Sequence, residues 1–133
     1  MYLLDTNVIS AVRRPDRAPQ VAAWLRGRPE GSLYLSVITL GEIERRIRAQ
    51  ERLNPAFAAD LRSWVDRTVR LFHDRLLPFG ADEARVWGQL SQDIGHGGAD
   101  LMIAATALVQ GATVVTGNLD EFRPTGVLLE NPF

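Results

Sequence analysis

Leu3-Leu4-Asp5-Thr6-Asn7, with Tyr2 in front of it, decides how the rest of the chain is read. Tyr2 to Leu4 is apolar throughout, the pattern of a strand buried on both faces, as the central strand of a parallel sheet is. Asp5 stands where that run stops, and Asn7-Val8-Ile9-Ser10-Ala11-Val12 opens a helix. In open α/β sheets a carboxylate at the carboxyl end of a central strand faces the crevice that holds ligands. The same residue has a plainer use, because Asp, Thr and Asn all cap helix N-termini. Which use applies turns on whether other segments bring carboxylates to the same edge.

The remaining chain alternates strand and helix. Pro19 to Leu25 reads as a helix that Gly27, Pro29 and Gly31 end. Leu33-Tyr34-Leu35 is a second buried strand, followed by a helix running through Arg52, with Thr39 and Glu42 at capping-box spacing. Asn54-Pro55 opens a third long helix, in which Phe57, Leu61, Trp64, Val65, Val69 and Phe72 keep helical spacing. Leu76 to Phe79 is a short strand whose proline marks an edge or an end. Asp82 to Ile94 is helical up to Gly95-His96-Gly97-Gly98. Ala99 to Gln110 is nearly all apolar, a buried helix stopped by Gly111. Ala112 to Val115 and Val127 to Leu129 are the last strands, separated by a turn at Gly117-Asn118. Strands joined through helices imply right-handed crossovers, hence a three-layer α/β/α fold around a central, mainly parallel sheet.

Composition narrows the chemistry. A chain of 133 residues, 46% apolar, is expected to be one domain, residues 1–133, without repeats or linkers. There is no cysteine, which excludes disulfides, thiol nucleophiles and thiolate metal sites. All fifteen basic residues are arginine. The absence of lysine excludes the P-loop, Schiff-base chemistry and the receiver-domain arrangement of clustered Asp with a Lys. No stretch approaches a membrane span and no signal peptide precedes the first strand, so the expected location is the cytoplasm. The net charge of -1 hides an asymmetry. Residues 1–67 carry 11 Arg against 8 acids, and residues 68–133 carry 4 Arg against 8. A basic half suits an anionic partner, and equally a solvated arginine face.

In such a sheet, helix N-termini and strand C-termini share one edge. Asp5 ends the first strand, and Glu42 lies in the first two turns of the helix after the second. Asp100 lies in the first turn of the buried helix, while Asn118, Asp120 and Glu121 follow the next strand. Glu44, two residues beyond Glu42, points to another helical face. Asp100 is the only charged residue between Gly98 and Gly111. An ionised group in buried surroundings is costly unless paired or bound to metal, although the helix dipole also favours an acid there. Crowded carboxylates need a cation, and oxygen ligands select a hard one, Mg²⁺ or Mn²⁺. His96 reads as a turn residue. A hard ion held by carboxylates, with several waters kept, is the arrangement used for phosphodiester hydrolysis.

These residues carry a resemblance. Leu-Leu-Asp-Thr-Asn at 3–7, Ser36-x-x-Thr39-x-x-Glu42, Ala99-Asp100-x-x-Ile103-Ala104-Ala105-Thr106-Ala107, and Val115-Thr116-Gly117-Asn118-x-x-Glu121-Phe122 resemble PIN-domain ribonucleases. More narrowly, the chain is similar to the VapC and FitB toxins of bacterial toxin–antitoxin pairs, over residues 3 to about 132. The resemblance implies an endoribonuclease dependent on Mg²⁺ or Mn²⁺, forming homodimers (and dimers of dimers with its partner) and inhibited by a small DNA-binding antitoxin. It places Asp5, Glu42 and Asp100 on the family's main acidic positions, as metal ligands and catalytic residues. Thr6 and Asn7 match residues that shape the pocket, and Thr116 a polar residue near the metal water. A family-like dimer would bury part of the helix from Asn54 to Phe72, which carries Phe57, Trp64 and Phe72.

One position departs from the pattern. Asn118 stands where the broader family has a fourth acid, which weakens a second metal site. Asp120 either substitutes through a water or faces solvent. Two other readings stand beside the nuclease. A non-catalytic interaction module predicts broken acidic positions, and a hydrolase of small phosphate esters predicts a closed pocket. The arginines near the rim, Arg13, Arg14, Arg45, Arg46 and Arg48, suit a polyanion such as RNA better.

Overall fold

Leu3 and Leu4 are consecutive and both almost wholly buried, at 0% and 1% exposure. Successive side chains of a strand point to opposite faces, so burial of both requires a covered layer on each side of the sheet. The computed structural model, which describes residues 1–133, has that arrangement. β1 (Tyr2–Leu4) is the middle of five strands, with β2 (Leu33–Ser36) and β4 (Thr113–Val115) beside it and β3 (Leu76–Leu77) and β5 (Leu129–Glu130) at the edges. Every pairing is parallel; Leu3 lies opposite Tyr34 on one side and Val114 on the other.

The helices are α1 (Thr6–Ala11), α2 (Pro19–Arg26), α3 (Val37–Leu53), α4 (Pro55–Leu71), α5 (Ala81–Ile94), α6 (Ala99–Gln110) and α7 (Leu119–Phe122). Leu4 and Val115 join Val8, Ile9, Val21, Ile43, Ile47, Leu61 and Val65 in one core, formed with α1 to α4. Leu3 and Val114 join Ile103, Ala104, Ala107 and Phe122 in the other, formed with α6 and α7. Each fully buried Leu, Ile, Val or Phe contributes about 1.5–3 kcal/mol, which makes this two-sided burial the main force holding the layers. The fold is the expected three-layer α/β/α, and no helix is long and apolar enough to cross a membrane.

The structure corrects three local expectations. Ser36, not Thr39, caps α3: its Oγ accepts from the Ile38 N–H at 3.0 Å. Thr39 is then inside the helix and fully buried. The last strand is Leu129–Glu130 rather than 127–129, because Glu130 is held inward by Trp24 Nε1 and Arg28 at 3.0 and 2.9 Å. A strand that ends on a carboxylate is invisible to an apolar pattern. The turn after β4 contains α7, too short for a periodic signal. Of the aromatic residues between Asn54 and Phe72, Phe72 is 5% exposed, and Phe57 and Trp64 are half-buried where they pack against the first core.

Candidate active site

Asp5 follows β1 directly, and its N–H extends the ladder by donating to the Val115 carbonyl at 2.9 Å. The capping use foreseen for this residue is realised. As the N-cap of α1 its Oδ1 accepts from the Thr6 N–H at 2.8 Å, while Oδ2 accepts from the Thr116 hydroxyl at 2.8 Å. The side chain is 3% exposed. Burial, followed by the charge of Glu42, raises its pKa above the ordinary 3.8, against the two hydrogen bonds that lower it.

Thr6 connects Asp5 to α3. Its Oγ1 donates to Glu42 Oε1 at 2.6 Å and lies 3.4 Å from the Thr39 hydroxyl. Ser36, Thr39 and Glu42 recur every three residues, so one helical face carries the cap, the buried hydroxyl and the carboxylate. Thr116 does the same work from β4. Besides donating to Asp5, its Oγ1 accepts from the Asn118 N–H at 2.9 Å and from Asn7 Nδ2 at 3.4 Å. Asn7 Oδ1 in turn accepts from the Gly117 N–H at 3.4 Å. Asn7 thereby joins α1 to the turn after β4.

Asp100, half-buried in the first turn of α6, has its pKa raised to about 6. Burial is the largest cause, followed by the charges of Asp5, Glu42 and Glu121; only His96 opposes them. Asp5, Glu42 and Asp100, from three separate segments, therefore share one electrostatic site. Of the two acids of α7, Glu121 is the one whose charge acts on Asp100. Asp120 has a side chain 91% exposed and is ion-paired with Arg123. Both acids line the same open hollow. Leu119-Asp120-Glu121-Phe122 is helical, so side chains one residue apart diverge by about 100°, and with Phe122 buried both acids stay exposed on different sides of the turn. Asn118 is exposed and takes part through its backbone N–H, beside Glu121 in an open hollow of about 440 Å³.

The site is an all-oxygen set of like charges with one histidine nearby, which is the chemistry a hard divalent cation answers. No three acidic or histidine side chains converge into a closed ligand group. His96 lies in the turn between α5 and α6, as expected. Its Nδ1 accepts from the Gly98 N–H at 3.2 Å, and its charge acts on Asp100.

The arginines divide. Arg13 and Arg46 both lie over the Phe57 ring, at 5.1 and 5.6 Å from its centroid. The pKa of Arg13 is lowered by burial and then by the charges of Arg14 and Arg46. Arg45 shares an open groove with Glu42 and Ala99, immediately beside the carboxylates. Arg48 is instead paired with Glu51 at 2.9 Å. Glu44 is paired with Arg62 on α4, on the other helical face as the spacing requires.

Comparison with known proteins agrees with this geometry. Toxin FitB of Neisseria gonorrhoeae is 36% identical over 139 aligned residues, which cover 100% of this chain and 99% of FitB. VapC ribonuclease Y4jK of Sinorhizobium fredii is 34% identical, covering 100% of this chain and 98% of the relative. The crystal structure of FitAcB from Neisseria gonorrhoeae superposes with a TM-score of 0.85 at 34% identity, over 99% of this chain and 98% of that one. The family model described as PIN domain matches residues 2–127, almost the whole sequence. The chain belongs to the PIN domain family.

Proposed function

We propose that this chain is a single-domain endoribonuclease that cleaves RNA phosphodiester bonds with the help of Mg²⁺ or Mn²⁺, as the toxin of a toxin–antitoxin pair. The observation that carries the reading is the convergence of carboxylates from separate segments: Thr6 bonds to both Asp5 and Glu42, and burial with the charges of Asp5 and Glu42 raises the pKa of Asp100 to about 6. Asp5 and Asp100, with Glu42 behind them, would hold the ion, and its retained waters would complete a shell that the carboxylates alone do not close. When bound, the cation supplies positive charge for the scissile phosphate and acidifies a water.

The chain's own residues supply position. Thr116 and the Thr6 N–H fix both oxygens of Asp5, and the Thr6 hydroxyl aims Glu42. Asn7 ties the turn after β4 to α1. Arg45 lies on the carboxylate rim, and the Arg13–Arg14–Arg46 cluster lies a turn or more away, spaced to take phosphates on the flank of an extended polyanion. Open hollows and this arginine flank favour RNA over a small phosphate ester. The non-catalytic module would need broken acidic positions, and Asp5, Glu42 and Asp100 are all present. RNA as substrate rests on the ribonuclease similarity. Action in the cytoplasm, homodimers and an inhibitory antitoxin rest on the likeness to FitB and VapC toxins.

The test is cleavage of a single-stranded RNA by the purified protein with Mg²⁺ or Mn²⁺, with excess EDTA, and by Asp5→Asn. Metal-dependent cleavage lost in the variant is expected, together with a rise in melting temperature on adding Mn²⁺ that Asp5→Asn lacks. Cleavage persisting in EDTA would overturn the metal mechanism.

A further inference from the structure

We propose that the Phe133 ring is a stacking platform for one nucleobase of an RNA strand lying across the carboxylate site; the inference rests on the ribonuclease reading above. Gly117 follows Thr116, whose hydroxyl holds Asp5, and precedes Asn118. The Phe133 ring lies directly against it. A Cβ at position 117 would meet ring Cδ2 at 2.9 Å and Cε2 at 3.1 Å, so the ring would have to shift from its present seat. The backbone there does not need glycine, since only Gly95, Gly111 and Gly126 have positive φ. What needs a bare α-carbon at 117 is the seat of the ring.

The ring is also held. Pro132 before it is buried, and the Phe133 N–H donates to Asn131 Oδ1 at 2.9 Å. Nevertheless Phe133 remains 50% exposed. One edge of the ring is pressed on a glycine, and half of the residue's surface is open. It stands one residue from the hydroxyl that positions Asp5, with the Asn7 amide also beside Gly117. Single-stranded RNA beside a scissile phosphate presents unstacked bases, and a fixed, half-open aromatic face accepts any of them.

The test uses a single-stranded RNA oligonucleotide with Mn²⁺, together with a set carrying one abasic nucleotide at each position flanking the cleavage site. Phe133→Leu should raise KM about tenfold, equivalent to about 1.4 kcal/mol, with kcat changed less than about twofold. Phe133→Trp should restore the parental KM. One abasic position should raise KM for the parent and add nothing in Phe133→Leu. A parental KM in Phe133→Leu, a failure of Trp to rescue, or equal sensitivity of both proteins to every abasic substrate would overturn the platform. Fluorescence anisotropy of the same oligonucleotide on Asp5→Asn protein, with and without Phe133→Leu, reads stacking without cleavage. Equal affinities there overturn this inference, whereas absence of cleavage by the parent overturns the ribonuclease reading instead.

Discussion

The Thr116 hydroxyl donates to Asp5 Oδ2 at 2.8 Å across 111 residues of sequence, from the end of β4 to the end of β1. A carboxylate 3% exposed would ordinarily be driven towards its neutral form. Here β1–β4 pairing delivers a donor to one oxygen and the start of α1 delivers another to the second, so burial and partial satisfaction coexist. What remains unsatisfied is charge, because Glu42 and Asp100 crowd the same carboxylate.

Thr116→Val replaces that hydroxyl with a methyl of similar size. Asp5 loses a charge-assisted bond and the Asn118 N–H loses its acceptor. The expected loss of stability at pH 7 is about 2 kcal/mol in the metal-free protein, while Thr116→Ser stays close to the parent. Urea unfolding of the three proteins in EDTA decides it, and equal midpoints for Val and the parent would show that water already serves Asp5.

The pH dependence of the metal-free protein has a defined sign. Asp100 titrates at about 6 in the folded state against an ordinary 3.8, and Asp5 is shifted in the same direction. Between those values the folded state holds a proton that the unfolded state has released. Stability from these groups is therefore fully present below about pH 4 and is lost as pH rises through about 6. Melting in EDTA from pH 4.5 to 7.5 should show Asp100→Asn gaining on the parent as pH rises. A gap that shrinks with rising pH contradicts the assignment.

Much of this was readable in advance, for physical reasons. An apolar run ending in Asp announces a buried strand at a ligand edge, and Asp100 stands out as a lone charge in an apolar helix. Long-range side-chain chemistry was not readable. Ser36 and Thr39 have equivalent local spacing to an N-cap, and only the register of β2 gives the cap to Ser36 and sends Thr39 towards Thr6. Glu121 and Asp120 are adjacent acids, and only the fold shows which of them acts on Asp100. Nothing in the sequence pattern singles out Arg75.

Arg75 is in fact 8% exposed. Its Nη1 donates to the Glu30 and Leu33 carbonyls at 2.7 and 2.8 Å and its Nη2 to the Leu71 carbonyl at 2.9 Å, with the guanidinium 4.6 Å from the Phe72 centroid. It joins the end of α4 to the entry of β2. A lysine offers one ammonium and cannot span three carbonyls, so Arg75→Lys should cost about 2–3 kcal/mol in urea. A loss under about 0.5 kcal/mol would mean that water replaces the fork, since exposed surface substitutions fall in that range.

The fourth acid of the site is the sharpest remaining choice. Glu121 acts on Asp100, whereas Asp120 is spent on Arg123 in solvent, and Asn118 is neutral. Removing the Glu121 charge should therefore weaken Mn²⁺ binding, while Asp120→Asn leaves it unchanged. Asn118→Asp adds a charge beside the same hollow and should tighten binding, since an added anion at short range attracts the cation. Tighter binding need not speed cleavage, because an ion held more firmly before reaction helps only if the transition state gains more. Calorimetric Mn²⁺ titration of Glu121→Gln, Asp120→Asn and Asn118→Asp against the parent separates the three. If Asp120→Asn loses affinity and Glu121→Gln does not, α7 presents its other face to the ion, and Asp120 leaves Arg123 whenever metal binds.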